Sequence, residues 1–244
     1  MRRILVVVQY DGTGYCGFQR QPELPTIQRE IEQALTRLLG GPTTIIGAGR
    51  TDAGVHALGQ TLTFDTDNPI PAKRVVTALN GLLPDAISAI QALEVPGEFH
   101  ARYHAAGKLY GYRILNRELP SPFMVRYSWH LPAELDVGAM QQAAEGLLGE
   151  HDFVAFSSSG SSVRDTVRTL RRLDVQREGE LVEFRAEANG FLYMMVRRLV
   201  GALVDVGCGR LGVEDVEAIR ESRDRCRVIT VAPPQGLSLI KVIY

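Results

Sequence analysis

The amino-acid sequence predicts an α+β (α/β) protein built from two ferredoxin-like β-α-β-β-α-β halves. Strand-like and helix-period apolar runs follow one another in that order over 1–97, and the same order recurs with additions over 98–244. The composition fits, with 244 residues, 45% hydrophobic and 23% charged. The two halves are expected to extend one mixed, mainly antiparallel sheet, with helices on one side and a central cleft between them.

The first strand is expected over 3–10, where apolar residues run almost without interruption. A helix follows from Thr26, its N-cap, with Ile27, Ile31, Ala34, Leu35, Leu38 and Leu39 at helical spacing and Gly40-Gly41 as the stop. Strands over 43–48 and 57–65, a helix over 71–83 and a strand over 87–95 complete the half that carries the carboxylate turn described below. The second half begins with strand 107–116 and a shorter strand near 125–131. Helix 136–148 then turns Val137, Met140, Ala144, Leu147 and Leu148 inward, and the serine-rich stretch 157–162 leads to strands 166–177 and 181–189. A very apolar helix over 192–206, a short one over 213–222 and a strand over 237–243 end the pattern.

No run of about 18 apolar residues exists, so nothing is expected to span a membrane. The apolar start is cut short by Gln9, Tyr10 and Asp11, so it reads as a strand rather than a signal peptide, and a cytoplasmic location is expected. Cys16, Cys208 and Cys226 are odd in number and widely spaced, which gives neither a disulfide framework nor a metal pair. His100 and His104 have the i, i+4 spacing of a helical metal pair, but no acid stands as third ligand and no helix is evident; no metal site is expected. Net charge is −1, and lysine appears only as Lys73, Lys108 and Lys241. The preference for arginine suits bidentate phosphate contacts and stacking on bases.

Residues 47–60, between two predicted strands, place one carboxylate, Asp52, mid-turn between Gly49 and Gly54, with Arg50 before it and His56 after. Glycines allow a close backbone approach, so such a turn can present a carboxylate; it can also be plain Asp-Gly turn chemistry. Gly12, Gly14 and Gly17 spell G-x-G-x-x-G after the first strand. A dinucleotide site needs its helix to begin within the glycine run, and here the helix waits until Thr26, so no nucleotide cofactor is expected.

Three further features carry chemistry. Strand alternation puts Lys108, Tyr110, Tyr112 and Ile114 on one face, either a ring offered to a base or core aromatics under a snorkelling lysine. Arg197 and Arg198 lie in the very apolar helix, so at least one needs a carboxylate partner, and Gly201 would leave room for it. Arg164, Arg168, Arg171 and Arg172, and again Arg220, Arg223, Arg225 and Arg227, form clusters that are solvated faces or phosphate contacts.

The turn Gly49-Arg50-Thr51-Asp52-Ala53-Gly54-Val55-His56-Ala57 resembles the signature of the tRNA pseudouridine synthase A family. The likeness extends in order and spacing through Tyr10-Asp11-Gly12, Gly17-Phe18-Gln19-Arg20-Gln21, Phe99-His100-Ala101-Arg102, Lys108-Leu109-Tyr110-Gly111-Tyr112, Met195-Val196-Arg197 and Gly236-Leu237-Ser238-Leu239. Two departures are minor: Lys108 stands where many relatives have Arg, and Gly111 separates the tyrosines. The resemblance implies isomerisation of uridine to pseudouridine at positions 38, 39 and 40 of the tRNA anticodon stem-loop, without a cofactor. It implies Asp52 as nucleophile, Arg197 as its partner, Arg50 holding the base out of its stack and Tyr110 stacking on the uracil. Lys108, Phe18, Gln19, Arg20, His56 and Leu237 are its further substrate-side residues, and a homodimer with tRNA across both subunits is the implied assembly.

The residues agree with that chemistry. Pseudouridine formation needs one carboxylate, whereas a glycoside hydrolase needs two. The competing reading is a non-catalytic ferredoxin-like RNA-binding module, which Lys108–Tyr112 loosely resembles; that motif wants Gly directly after the basic residue, where Leu109 stands.

Overall fold

In the computed structural model, which describes residues 1–160 and 165–244, β1 (Arg2–Tyr10) is a central strand because its apolar run is covered by a neighbour on each side. The chain continues through α1 (Ile27–Leu39), β2 (Ile46–Gly47), β3 (His56–Thr66), α2 (Ala72–Asn80) and β4 (Ile87–Val95). β1 pairs antiparallel with β3, from Arg2↔Thr66 to Tyr10↔Ala57, and antiparallel with β4, from Arg3↔Val95 to Tyr10↔Ile87. β2 pairs antiparallel with β3. The resulting order β4-β1-β3-β2 is that of a ferredoxin-like unit. Thr26 caps α1, its side chain accepting the Arg29 N–H, and Gly40 ends it in the left-handed region at φ 80°. Ile27, Ile31 and Leu35 are buried from that helix, each contributing about 2 kcal/mol of apolar burial.

The chain then forms β5 (Gly107–Leu115), β6 (Trp129–His130), α3 (Val137–Glu145), β7 (Gly149–Asp152), β8 (Val167–Glu178), β9 (Leu181–Ala188), α4 (Met195–Gly207) and α5 (Val213–Ser222). Here the strands pair antiparallel in the order β5-β9-β8-β7, and β6 adds parallel to β5 at Ile114↔Trp129. The core gathers Tyr112, Phe153, Phe156, Phe184 and Met140 with the inner residues of α4. The final strand, β10 (Leu237–Ile243), runs parallel to β3 through Ser238↔His56 and Leu239↔Ala57. The chain accordingly clusters into two units, Met1–Ala106 with Ser238–Tyr244, and Gly107–Leu237. The α+β class and the mixed, mainly antiparallel strand pairing are as the sequence predicts.

Local departures have local causes. The strand expected over 43–48 shrinks to two paired residues, because the Thr43 hydroxyl and N–H bond within the preceding turn, to Gly41 and Thr36. The strand near 125–131 shrinks to Trp129–His130, since Met124 and Tyr127 donate backwards into turns at Ser121 and Met124. β7 was not foreseen; it starts at Gly149, at φ 102°, where the sequence predicts the end of helix 136–148. α4 starts at Met195 rather than 192 because Met194 takes a left-handed conformation. Ser161, Ser162 and Arg164 lie outside the described residues. No helix among the described residues is long and apolar enough to cross a membrane.

Candidate active site

Asp52 sits half-buried in the connection between β2 and β3, and the segment that follows β1 packs directly against it. The Val55 N–H closes the turn onto the Asp52 carbonyl at 3.1 Å. From the neighbouring segment, the Phe18 N–H donates to the Thr51 carbonyl at 3.0 Å, and the Gly54 N–H donates to the Tyr15 carbonyl at 3.3 Å. This backbone-to-backbone packing explains the glycines. A Cβ on Gly12 would overlap the Val55 carbonyl, and one on Gly17, which holds φ 91°, would come within 2.8 Å of the Thr51 oxygen. Gly12 and Gly17 of the G-x-G-x-x-G run therefore support the carboxylate turn by leaving out side chains where two backbones meet.

His56 and Phe18 take part in that support. His56 is buried, with Nδ1 3.0 Å from the Gly12 nitrogen and 3.1 Å from Asp11 Oδ1. One ring nitrogen cannot accept from Gly12 and donate to Asp11 at once. Asp11 Oδ1 already accepts the Thr13 N–H at 2.9 Å, whereas the buried Gly12 N–H needs an acceptor, so Nδ1 is assigned as the acceptor. Phe18 is only 3% exposed, and its ring lies against Gly47 with Tyr10 6.4 Å away. It wedges the turn from below instead of offering a face to solvent. Arg50 is exposed, and its Nε donates to Gln19 Oε1 at 2.9 Å. Arg20 is held against α1 by Glu32 Oε2, 3.2 Å from its Nη1. His100 and His104 spend their Nδ1 atoms on their own turn, accepting from Arg102 at 3.1 Å, Tyr103 at 3.2 Å and His100 at 3.1 Å.

In the second unit, β5 carries Lys108, half-buried, and Tyr110, buried with its ring edge-on to Phe191 at 5.2 Å and 86°. The Tyr112 hydroxyl donates to the Pro233 carbonyl at 2.8 Å. Burial pushes its pKa far above the ordinary tyrosine value, against the opposing charge of Arg197, so Tyr112 stays protonated. Leu237 is buried.

On α4, the Arg197 Nε donates to the Ala232 carbonyl at 2.7 Å, and the Ala232 N–H returns to the Arg197 carbonyl at 3.1 Å. The neighbouring Arg198 is buried, and backbone carbonyls accept from it. Its Nη2 donates to the carbonyls of Ala155 at 3.3 Å, Val228 at 3.4 Å and Arg225. Burial, with the nearby Arg225 charge, lowers its pKa. Gly201 leaves room, though for backbone: a Cβ there would overlap the Thr230 carbonyl. Thr230 also donates to Asp205 Oδ1 at 2.8 Å, and Asp205 accepts Arg210 Nε at 2.7 Å. Residues 225–233 thus run as a strap along α4, tied at Arg198, Gly201, Asp205 and Arg197. The sequence offered no signal for Thr230 or Ala232, since a backbone carbonyl has no residue code.

A single carboxylate presented on a glycine-backed turn in an α+β fold marks a candidate enzyme site. A family model described as tRNA pseudouridine synthase matches residues 6–104 and 143–244, and the chain belongs to that family, isomerases that make pseudouridine in tRNA. It is 46% identical to the tRNA pseudouridine synthase A of Thermoanaerobacter sp. (strain X514) over 244 residues, all of both chains. The enzyme of the same name from Acetivibrio thermocellus is 45% identical over 244 residues, again all of both. That of Moorella thermoacetica is 47% identical over 241 residues, covering 98% of each.

Proposed function

We propose that this chain converts uridine to pseudouridine at positions 38, 39 and 40 of the tRNA anticodon stem-loop, with Asp52 as the nucleophile and no cofactor. The observation that carries this reading is the turn itself, whose backbone on both sides of Asp52 packs closely against the segment that follows β1. The reaction breaks the N1–C1′ bond, turns the detached uracil and re-bonds it through C5. The C5 proton is released and N1 gains one, so no oxidant or energy source is consumed. A carboxylate serves this chemistry by attack at C1′ or C6, or by promoting a glycal-type path.

Around Asp52, Arg197 acts as its partner, since an arginine favours the ionised form of a carboxylate. Arg50, aimed by Gln19, holds the base out of its stack, and Tyr110 stacks on the uracil. Lys108, Gln19 and Arg20 contact the RNA, while Phe18, His56 and Leu237, all buried, serve the substrate through the walls they support. The enzyme works as a cytoplasmic homodimer with tRNA lying across both subunits.

The test is tritium release. tRNA carrying C5-tritiated uridine, incubated with the protein and no added cofactor, should lose label in proportion to the pseudouridine formed. Retention of the label at 38, 39 and 40 would overturn the assignment of those positions.

A further inference from the structure

Tyr10 and Gln60 lie beneath the Asp52 turn on adjacent strands, and both are polar groups almost wholly withdrawn from water. Tyr10 ends β1 and is 4% exposed; Gln60, on β3, is 0% exposed. Val8↔Gln60 and Tyr10↔Ala57 are paired on either side of a bulge, which brings the two side chains to the same end of the sheet. The Tyr10 hydroxyl is 2.9 Å from Thr51 Oγ1. Gln60 Nε2 donates to the Gly49 carbonyl at 2.9 Å, while its Oε1 accepts the Thr61 N–H at 3.2 Å. Gly49 and Thr51 flank Arg50, and Thr51 immediately precedes Asp52. The chain is therefore gripped twice within three residues, just ahead of the carboxylate.

These grips are durable for a physical reason. A buried polar group left without a partner is costly, so the folded protein strongly favours keeping both bonds. Burial pushes the Tyr10 pKa up to about 12 against hydrogen bonds from Thr51 and Gln60, so the phenol keeps its proton across the neutral range. It can serve there only as a fixed, neutral hydrogen-bonding group. Core packing alone gives no reason for a glutamine at a fully buried strand position, where an aliphatic side chain would fill the space without needing polar partners.

We propose that Tyr10 and Gln60 are positioning residues for the isomerisation, setting the backbone of 49–51 so that Arg50 and Asp52 emerge in a fixed geometry. They act through Thr51 and Gly49. The inference rests on Asp52 being the nucleophile, and the two ideas fail separately: the nucleophile through Asp52→Asn, this one through the variants below. Displacing a reacting group slightly costs rate much more than affinity. A grip on the turn should consequently be read in the chemical step and leave tRNA binding alone.

The experiment is single-turnover kinetics and tRNA affinity for Tyr10→Phe, Thr51→Val, Thr51→Ser, Gln60→Met and the combined Tyr10→Phe/Thr51→Val, at a temperature where circular dichroism shows each folded. Tyr10→Phe and Thr51→Val should each slow the chemical step about tenfold, with the tRNA Kd within about twofold of wild type. Thr51→Ser keeps the oxygen and should recover most of the rate. The combined variant should be no slower than the slower single variant, since both remove the same bond. Gln60→Met should show the same split between rate and affinity, and Thr51→Val reads the Tyr10 bond from the other side if Tyr10→Phe does not fold. Wild-type rates in the folded variants, losses that multiply in the combined variant, or losses confined to Kd or melting temperature would each overturn the proposal.

Discussion

The Asp52 turn and the Arg197 helix hold their charged groups by opposite means. Around Asp52 the contact is backbone on backbone, made possible by side chains that are missing at Gly12 and Gly17. Along α4 the contacts are made by side chains, with Arg197 and Arg198 donating to carbonyls of a strap and Asp205 accepting the Thr230 hydroxyl from it. The first arrangement should be intolerant of added atoms and the second of lost polar bonds. Each can be broken in its own way, and the sizes of the effects should differ.

The largest effect is expected from Gly12→Ala. One methyl group meets the Val55 carbonyl, which is backbone and can yield only by moving the turn. Overpacking of this kind costs about 3 kcal/mol, and the displaced Asp52 should abolish turnover in whatever fraction folds. Urea unfolding and the tritium assay together check this; wild-type stability with normal turnover would show that the close approach has slack.

A smaller loss is expected on the other side. Thr230→Val keeps the volume and removes the bond to Asp205, which retains Arg210 as a partner. Stability should fall by about 1 kcal/mol, the worth of an ordinary hydrogen bond. Turnover should fall severalfold as the strap that holds Arg197 through Ala232 loosens. A stability loss with unchanged turnover would separate the strap from the arginine.

The smallest effect belongs to a carboxylate of the first unit that is held by an arginine and has no part in the turn. Arg3 donates to both oxygens of Asp65 at 2.7 Å, and this hydrogen bonding lowers the Asp65 pKa. A depressed folded pKa gives stability that is present above the unfolded value, about 3.9, and lost as pH falls through the folded one. Asp65→Asn should therefore cost about 1 kcal/mol or less at neutral pH, with the gap to wild type closing in acid and activity unchanged. Thermal melts across that range test it; a gap that persists unchanged in acid would assign the loss to something other than charge.

Much of this was legible in the sequence, for physical reasons that vary by element. The helix that follows Thr26 could be read because a cap, a stop and an apolar period all agree there. β7 could not: four residues, Gly-Glu-His-Asp, become a strand only by pairing with β8, and they carry no alternation of their own. At the site, Asp52 stood out because its neighbours form a distinctive turn. What supports the turn did not stand out, because Gly12 and Gly17 have the same letters as a phosphate loop and differ only in what they touch. Gln60, a polar residue within a strand run, was a readable signal that periodicity alone does not interpret. The carbonyls that hold Arg198 have no sequence signature.

Asp52→Asn tests the assignment of the nucleophile most directly. The amide keeps the size and turn-forming capacity of the aspartate and loses its charge and nucleophilicity. The variant should fold, bind tRNA and form no detectable pseudouridine in the tritium-release assay. A folded Asp52→Asn protein that keeps even about a tenth of wild-type turnover, with deamidation back to aspartate excluded by mass spectrometry, would contradict it, because a residue that only shapes a turn can be exchanged for asparagine without cost.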